Sequence, residues 1–228
     1  MPILALWSDK GGPGKTTLAV AAAHHFNLKL MDADPQRDSL RWATAASWPC
    51  ERLSVRNERD IQALADAKEW FVVDCPPGRE EEPGRKGKDE EGVPIALPVL
   101  LRASAVVIPT KPGKQDMVAL GRALKIVAEL RNVNGKSARN SRLGEPLVVL
   151  NQAKKSSRTE GLSEAMSLPG KSYIFLGTVG HSVVVDDVYE EGRHILDVRE
   201  TPGVQVRKVM ENLAESMREM GYKLKVGR

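Results

Sequence analysis

The sequence predicts a doubly wound α/β fold, with a mostly parallel sheet covered by helices on both faces. Three observations carry that prediction. Short apolar runs recur along the chain and alternate with helix-like stretches. The runs are nearly continuous in apolar character, as strands buried on both faces must be. A glycine-rich turn, Lys10-Gly11-Gly12-Pro13-Gly14-Lys15-Thr16-Thr17, stands between the first run and the first helical stretch, where a strand of such a sheet hands over to its helix.

The elements follow in order. Residues 3–7 read as a strand, 16–25 as a helix and 28–31 as a short second strand. Residues 52–55 are a further strand candidate, and 70–73, 105–108, 147–150 and 173–176 continue the series. Helices are expected at 60–67, 117–131 and 158–166. Residues 79–92 (REEEPGRKGKDEEG) contain no apolar side chain and predict a mobile loop. Residues 132–145 are polar and basic and predict an exposed loop. Near the C-terminus, Val206, Val209, Met210, Leu213, Met217 and Met220 recur at helical spacing, so 204–220 predicts an amphipathic helix packed on the sheet. No internal repeat or second domain is visible, and residues 1–228 are expected to form one domain with no helix-turn-helix unit ahead of Lys10.

Composition excludes several classes. With 41% hydrophobic and 28% charged residues among 228, the chain reads as an ordinary soluble protein with one core. No apolar run approaches the roughly 20 residues a membrane span needs, and the N-terminus leads straight into the glycine-rich turn rather than into a cleavable signal. The two cysteines, Cys50 and Cys75, have no CxxC spacing, which argues against a disulfide framework or a cysteine metal site and for a reduced, cytoplasmic protein. The four histidines, His24, His25, His181 and His194, show no metal-binding spacing. Between Arg102 and Arg158 twelve Lys/Arg face three acids, an excess of nine that suits a polyanion such as DNA and equally describes a solvated surface. Aromatic content of 4% does not support base stacking.

The glycine-rich turn has the context of a phosphate-binding loop. Gly11, Gly12 and Gly14 let backbone N–H groups approach phosphates with no Cβ in the way. The following helix start adds the positive end of its dipole. Lys15 reaches the β- and γ-phosphates in such loops, and the Thr16 hydroxyl ligates Mg²⁺. Pro13 removes one possible backbone donor, and Thr17 completes the cofactor-binding set. Two strand ends then carry acids: Asp32-Ala33-Asp34-Pro35-Gln36, and Asp74 after Phe71-Val72-Val73. Asp74 closes a Walker B pattern, in which a carboxylate holds Mg²⁺ directly or through water.

The loop departs from the general pattern in placing Asp9 where the first glycine stands and adding Lys10 beside it. This KGGxGKTT form resembles the deviant Walker A motif of the ParA/MinD family, and Asp32–Gln36 resembles the DxDPQ signature of ParA proteins. The resemblance implies a P-loop NTPase fold of deviant Walker A type that binds ATP or ADP with Mg²⁺. It implies that Lys10 acts across a dimer on the partner's nucleotide, that Asp34 positions the attacking water and that Asp32 supports the magnesium shell. Lys10, Lys15 and Asp34 are then the catalytic candidates, and Thr16, Asp32 and Asp74 the metal candidates. Ile108-Pro109-Thr110 with Asp116 resembles the family's switch segment. Leu147–Leu150 followed by Asn151 resembles the strand approaching adenine, which makes Asn151 a base-recognition candidate. The stretch from Thr17 to Asp32 is short for the family.

The same resemblance implies an ATP-bound homodimer that binds DNA non-specifically, a ParB-like centromere-binding partner and a nucleoid-associated location, as for a short plasmid-type partition ATPase. Slow hydrolysis, stimulated by the partner, is expected. DNA-contact candidates are Arg193, Arg207, Lys208, Arg218 and Lys223. A MinD-like or other cargo- or membrane-positioning switch is the alternative, without stable membrane insertion. A metabolic enzyme of the dethiobiotin-synthetase type is disfavoured by Lys10 and DxDPQ.

Overall fold

Successive strand residues point to opposite sides of a sheet, so a four-residue apolar run can serve two cores at once. Strand β1 (Ile3–Leu6) does so: Leu4 and Leu6 enter one cluster and Ile3 and Ala5 the other, all fully buried. The computed structural model describes residues 2–80, 92–137 and 143–224. Its strands continue with β2 (Lys29–Asp32), β3 (Cys50–Arg52), β4 (Phe71–Asp74), β5 (Arg79–Glu80), β6 (Val93–Pro94), β7 (Ala105–Thr110), β8 (Leu147–Ala153) and β9 (Ile174–Gly180). The helices are α1 (Lys15–Phe26), α2 (Asp38–Ala45), α3 (Glu58–Asp66), α4 (Leu97–Leu100), α5 (Lys114–Ser137), α6 (Ser157–Ser167), α7 (Val184–Glu190) and α8 (Thr201–Glu219), with a 3₁₀ turn at Ile195–Asp197.

Seven strands form one sheet in the order β3-β2-β4-β1-β7-β8-β9, and each adjacent pair is parallel. One face is covered by α1, α2, α7 and α8, with Leu18, Phe26, Trp42, Val188 and Met210 in its core. The other is covered by α3, α4, α5 and α6, through Ile61, Leu100, Val127 and Met166 among others. Helix α1 is buried along nearly its whole length, and the run Leu18–Ala23 lets it lie close on the sheet. It ends at Asn27 in the left-handed conformation (φ 52), whose N–H closes the last turn on Ala23 and His24. Twelve residues of helix and four of strand thus fit in the short stretch before Asp32's end of the sheet.

The C-terminal helix lies where its apolar spacing placed it. Val206, Val209, Met210, Leu213 and Met217 are buried against the sheet, and Met220 is partly buried beside them. Arg207 anchors its first turns by donating to the carbonyls of Leu196 and Val198, the latter at 2.9 Å.

Several expectations are corrected. The strand expected at 52–55 is Cys50–Arg52 instead, because pairing with Leu30–Asp32 fixes the register two residues earlier. Within the stretch expected as a loop at 132–145, α5 continues to Ser137 and Leu143 is buried, while residues 138–142 lie outside the described residues. The edges of the 79–92 segment are structured, since Arg79 and Glu80 pair antiparallel with Pro94 and Val93. The rest of that segment, 81–91, lies outside the described residues.

Candidate nucleotide and metal site

In a parallel sheet of this kind, ligands bind beyond the carboxyl ends of the strands. Parallel register brings three of those ends level here: Leu6 aligns with Asp74, and Asp74 with Asp32. The phosphate loop leaves β1 at that edge and turns into α1 through Gly14, whose φ of 91 puts it in the left-handed region. Gly12 is also left-handed (φ 79). Lys15 follows at the helix start and is only 6% exposed.

Asp74 is the centre of the arrangement. It is fully buried, and its Oδ2 accepts a 2.9 Å hydrogen bond from the Thr16 hydroxyl. Its Oδ1 is buried with no partner. Burial pushes its carboxyl up to about 7; the Lys15 charge and the Thr16 hydrogen bond pull it down, and Asp32 and Asp34 push it further up. A buried carboxylate oxygen with no partner is costly unless a positive charge faces it. A hydroxyl and a carboxylate are hard oxygen donors of the kind that hold Mg²⁺, so Thr16 and Asp74 fit such an ion.

Asp32 is held by backbone hydrogen bonds at both oxygens. Its Oδ1 accepts the N–H of Asp34 at 3.0 Å and its Oδ2 the N–H of Leu40 at 2.8 Å, which ties the loop after β2 to the first turn of α2. Burial raises its carboxyl above the usual range, against the lowering effect of those hydrogen bonds. Asp34 is half-buried; its Oδ1 accepts the Gln36 N–H at 3.0 Å and its carbonyl accepts that of Arg37.

Lys10 is 46% exposed, and its Nζ lies 3.0 Å from Asp116 Oδ1 at the start of α5. Asp9, the departure from the usual loop, has a side chain only 2% exposed. Its two oxygens accept Arg79 Nε at 2.6 Å and Arg122 Nε at 2.7 Å. Asn151 sits beneath the loop, buried, and donates through Nδ2 to the Pro13 carbonyl at 2.7 Å. Gln152 donates to the Gly12 carbonyl at 3.1 Å.

The structure therefore brings Lys10, Gly11, Gly12, Pro13, Gly14, Lys15, Thr16, Thr17, Asp32, Asp34, Asp74 and Asn151 to one edge of the sheet. Sequence reasoning missed Arg79, Arg122 and Gln152. The signal for the first two was Asp9 itself: an acid at a loop position bound for burial needs cations. Of the suggested DNA contacts, Arg207 is turned inward on backbone carbonyls, whereas Arg193, Lys208, Arg218 and Lys223 are exposed. Among the described residues no cluster of three metal-ligating side chains occurs, and no helix is long and apolar enough to cross a membrane.

No protein-family model matches the chain. It is 29% identical over 136 residues to the protein ParA of Rhizobium radiobacter, covering 57% of each chain. It is 30% identical over 127 residues to maintenance of carboxysome distribution protein A of Gloeobacter kilaueensis, covering 52% of this chain and 53% of that one. The matches thus span about half the length of these curated relatives. Among solved structures, an ATP complex of a Cyanothece McdA variant superposes with a TM-score of 0.67 at 17% identity, over 100% of this chain and 99% of that one. A plasmid partition protein from Borrelia burgdorferi bound to AMPPNP gives 0.64 at 16% identity, over 93% and 98%. The Mg-ADP complex of the septum site-determining protein MinD from Pyrococcus horikoshii gives 0.62 at 17% identity, over 97% and 99%. Edge geometry, sheet order and these likenesses agree: the chain has the ParA/MinD-type P-loop NTPase fold, and proteins named ParA and McdA are its homologues.

Proposed function

We propose that this chain is a Mg²⁺-dependent ATPase switch that dimerises around ATP, binds DNA non-specifically in that state and is released by hydrolysis, partitioning a DNA cargo. The observation that carries the reading is the Thr16–Asp74 pair beneath the glycine loop, with one buried carboxylate oxygen left for a cation. Gly11, Gly12, Gly14, Lys15, Thr16 and Thr17 hold the phosphates; Lys15 neutralises charge that moves onto the leaving oxygens. Mg²⁺, when bound by Thr16 and Asp74, supplies the remaining charge compensation. Asp34 orients the water, and Asp32 keeps the Asp34 loop in place through its two backbone hydrogen bonds. Lys10 serves the partner's nucleotide after leaving Asp116, so nucleotide and subunit contact are linked. Exposed cations, Lys154, Lys155 and Arg158 after β8 and Lys208, Arg218 and Lys223 on α8 and beyond, supply phosphate contacts. A ParB-like protein that stimulates turnover and a location on the nucleoid complete the reading.

A second reading, a positioning switch with a protein cargo, is favoured by the relative named for carboxysome distribution. The membrane version has less support, because the apolar stripe of α8 is buried on the sheet.

The test is DNA binding by the purified chain with ATP, with ADP and without nucleotide, over a salt series. Binding only with ATP, weakened by salt and lost in Lys10→Ala, is expected. Absence of binding in every state removes the DNA track and leaves the cargo reading.

A further inference from the structure

Two neighbouring residues at the end of β8 hold two neighbouring carbonyls of the phosphate loop. Asn151 donates to Pro13 at 2.7 Å and Gln152 to Gly12 at 3.1 Å. The contact is tight: a Cβ at Gly14 would fall 2.0 Å from Asn151 Nδ2. Gln152 adopts φ 53, a left-handed conformation that is unfavourable for its residue type. Such an outlier persists only where its surroundings demand it. The demand here is geometric, because at the next position, Ala153, the strand resumes its ladder with β9 at Gly180.

We infer that Asn151 and Gln152 act as a clamp that sets the polarity of the phosphate loop, and that Asn151 is a positioning residue rather than a reader of the base. In a trans peptide the C=O and the following N–H point in opposite directions. Drawing the Pro13 carbonyl down onto Asn151 therefore turns the Gly14 N–H up toward the phosphates. The Gly12 carbonyl shares its peptide with the Pro13 nitrogen, which has no proton. Holding that carbonyl on Gln152 costs the loop no donor and keeps a negative dipole end away from the anion. The clamp thus compensates the donor that Pro13 removes, by fixing the one that follows it. The assignment rests on the nucleotide reading above, and its ligand is the phosphate chain, whatever base is attached.

The test compares ATP, GTP and inorganic tripolyphosphate binding by wild type, Asn151→Ala and Gln152→Gly, each with Mg²⁺, using calorimetry. Asn151 is buried, so its replacement can unfold the chain. Gln152 is half-buried, and glycine suits its φ, so Gln152→Gly keeps the fold. The clamp predicts that each folded variant binds all three compounds roughly three- to tenfold more weakly, as for one lost hydrogen bond, with the ATP-to-GTP ratio unchanged. A changed ratio with tripolyphosphate binding intact overturns the clamp and makes Asn151 a base reader. Unchanged affinities in Gln152→Gly overturn the role of Gln152. Failure of the wild type to bind any of the three overturns the nucleotide site, and the clamp with it.

Discussion

Asp74 shows how a single buried atom can define a chemical role. Its unpartnered Oδ1 is a liability in the free protein and an asset once a cation arrives. Asp74→Asn should therefore raise the melting temperature in the absence of Mg²⁺ and nucleotide while abolishing Mg²⁺-dependent hydrolysis, which a thermal scan and a phosphate-release assay check together. At Gly14 the outcome is purely destabilising. Alanine there collides with Asn151 and takes φ 91, at a cost of more than about 1–3 kcal/mol in unfolding free energy by urea titration. Most of these residues were legible in the sequence, because Lys15, Thr16, Asp32, Asp34 and Asp74 are chemically distinctive types at strand ends. Gln152 was not. Its role comes from a backbone angle and a neighbouring carbonyl, neither of which leaves a mark on residue type.

At the scale of elements, helix α1 meets the 3₁₀ turn through stacked imidazoles. His24 and His194 lie with ring centroids 3.7 Å apart and planes 7° from parallel, with Trp48 edge-on to both. Burial lowers both below the ordinary 6.5; Asp197 opposes this for each, while His25 adds to it for His24 and His24 for His194. The folded state thus disfavours protonation, and the unfolded state binds more protons as pH falls. The stabilisation is complete above 6.5 and is lost as pH drops from there toward the lowered folded values. Melting temperature should fall across that window, and His194→Phe should flatten the slope; an unchanged slope would show that other groups govern it. The sequence carries no hint of this pairing, since 170 positions separate the two in the chain. It also hid α2 and α7. Helix α2 starts at Arg37 in the left-handed region with no side-chain cap, so the usual start signal is missing, and α7 is only seven residues long. The long strands and α8 were legible because their burial pattern is written in apolar spacing.

For the whole molecule, the doubly wound sheet gathers loop, acids and clamp at one edge, while the two cores lie behind them. Ligand binding at that edge should stabilise the entire domain rather than a part. Saturation at 100 times the dissociation constant adds about 2.7 kcal/mol, a rise of roughly 5–11 °C for a chain of this size. Differential scanning with Mg-ATP measures it, and a local change with no shift of the main transition would argue for two independent units. The fold class was legible because order and apolarity of the runs determine a parallel sheet. The site's second tier was not, because it joins residues distant in sequence.

Asp9 illustrates a further consequence of that joining. Its carboxylate lies between a guanidinium just past β4 and another on α5, so the identities of three positions depend on one another. Restoring the common glycine at position 9 would remove the carboxylate that both guanidinium groups share. The same change made together with neutral replacements at 79 and 122 removes all members of one network, so the effects should be strongly non-additive. Replacing the cations first is no easier, because it would leave the Asp9 carboxylate buried without the charges that face it.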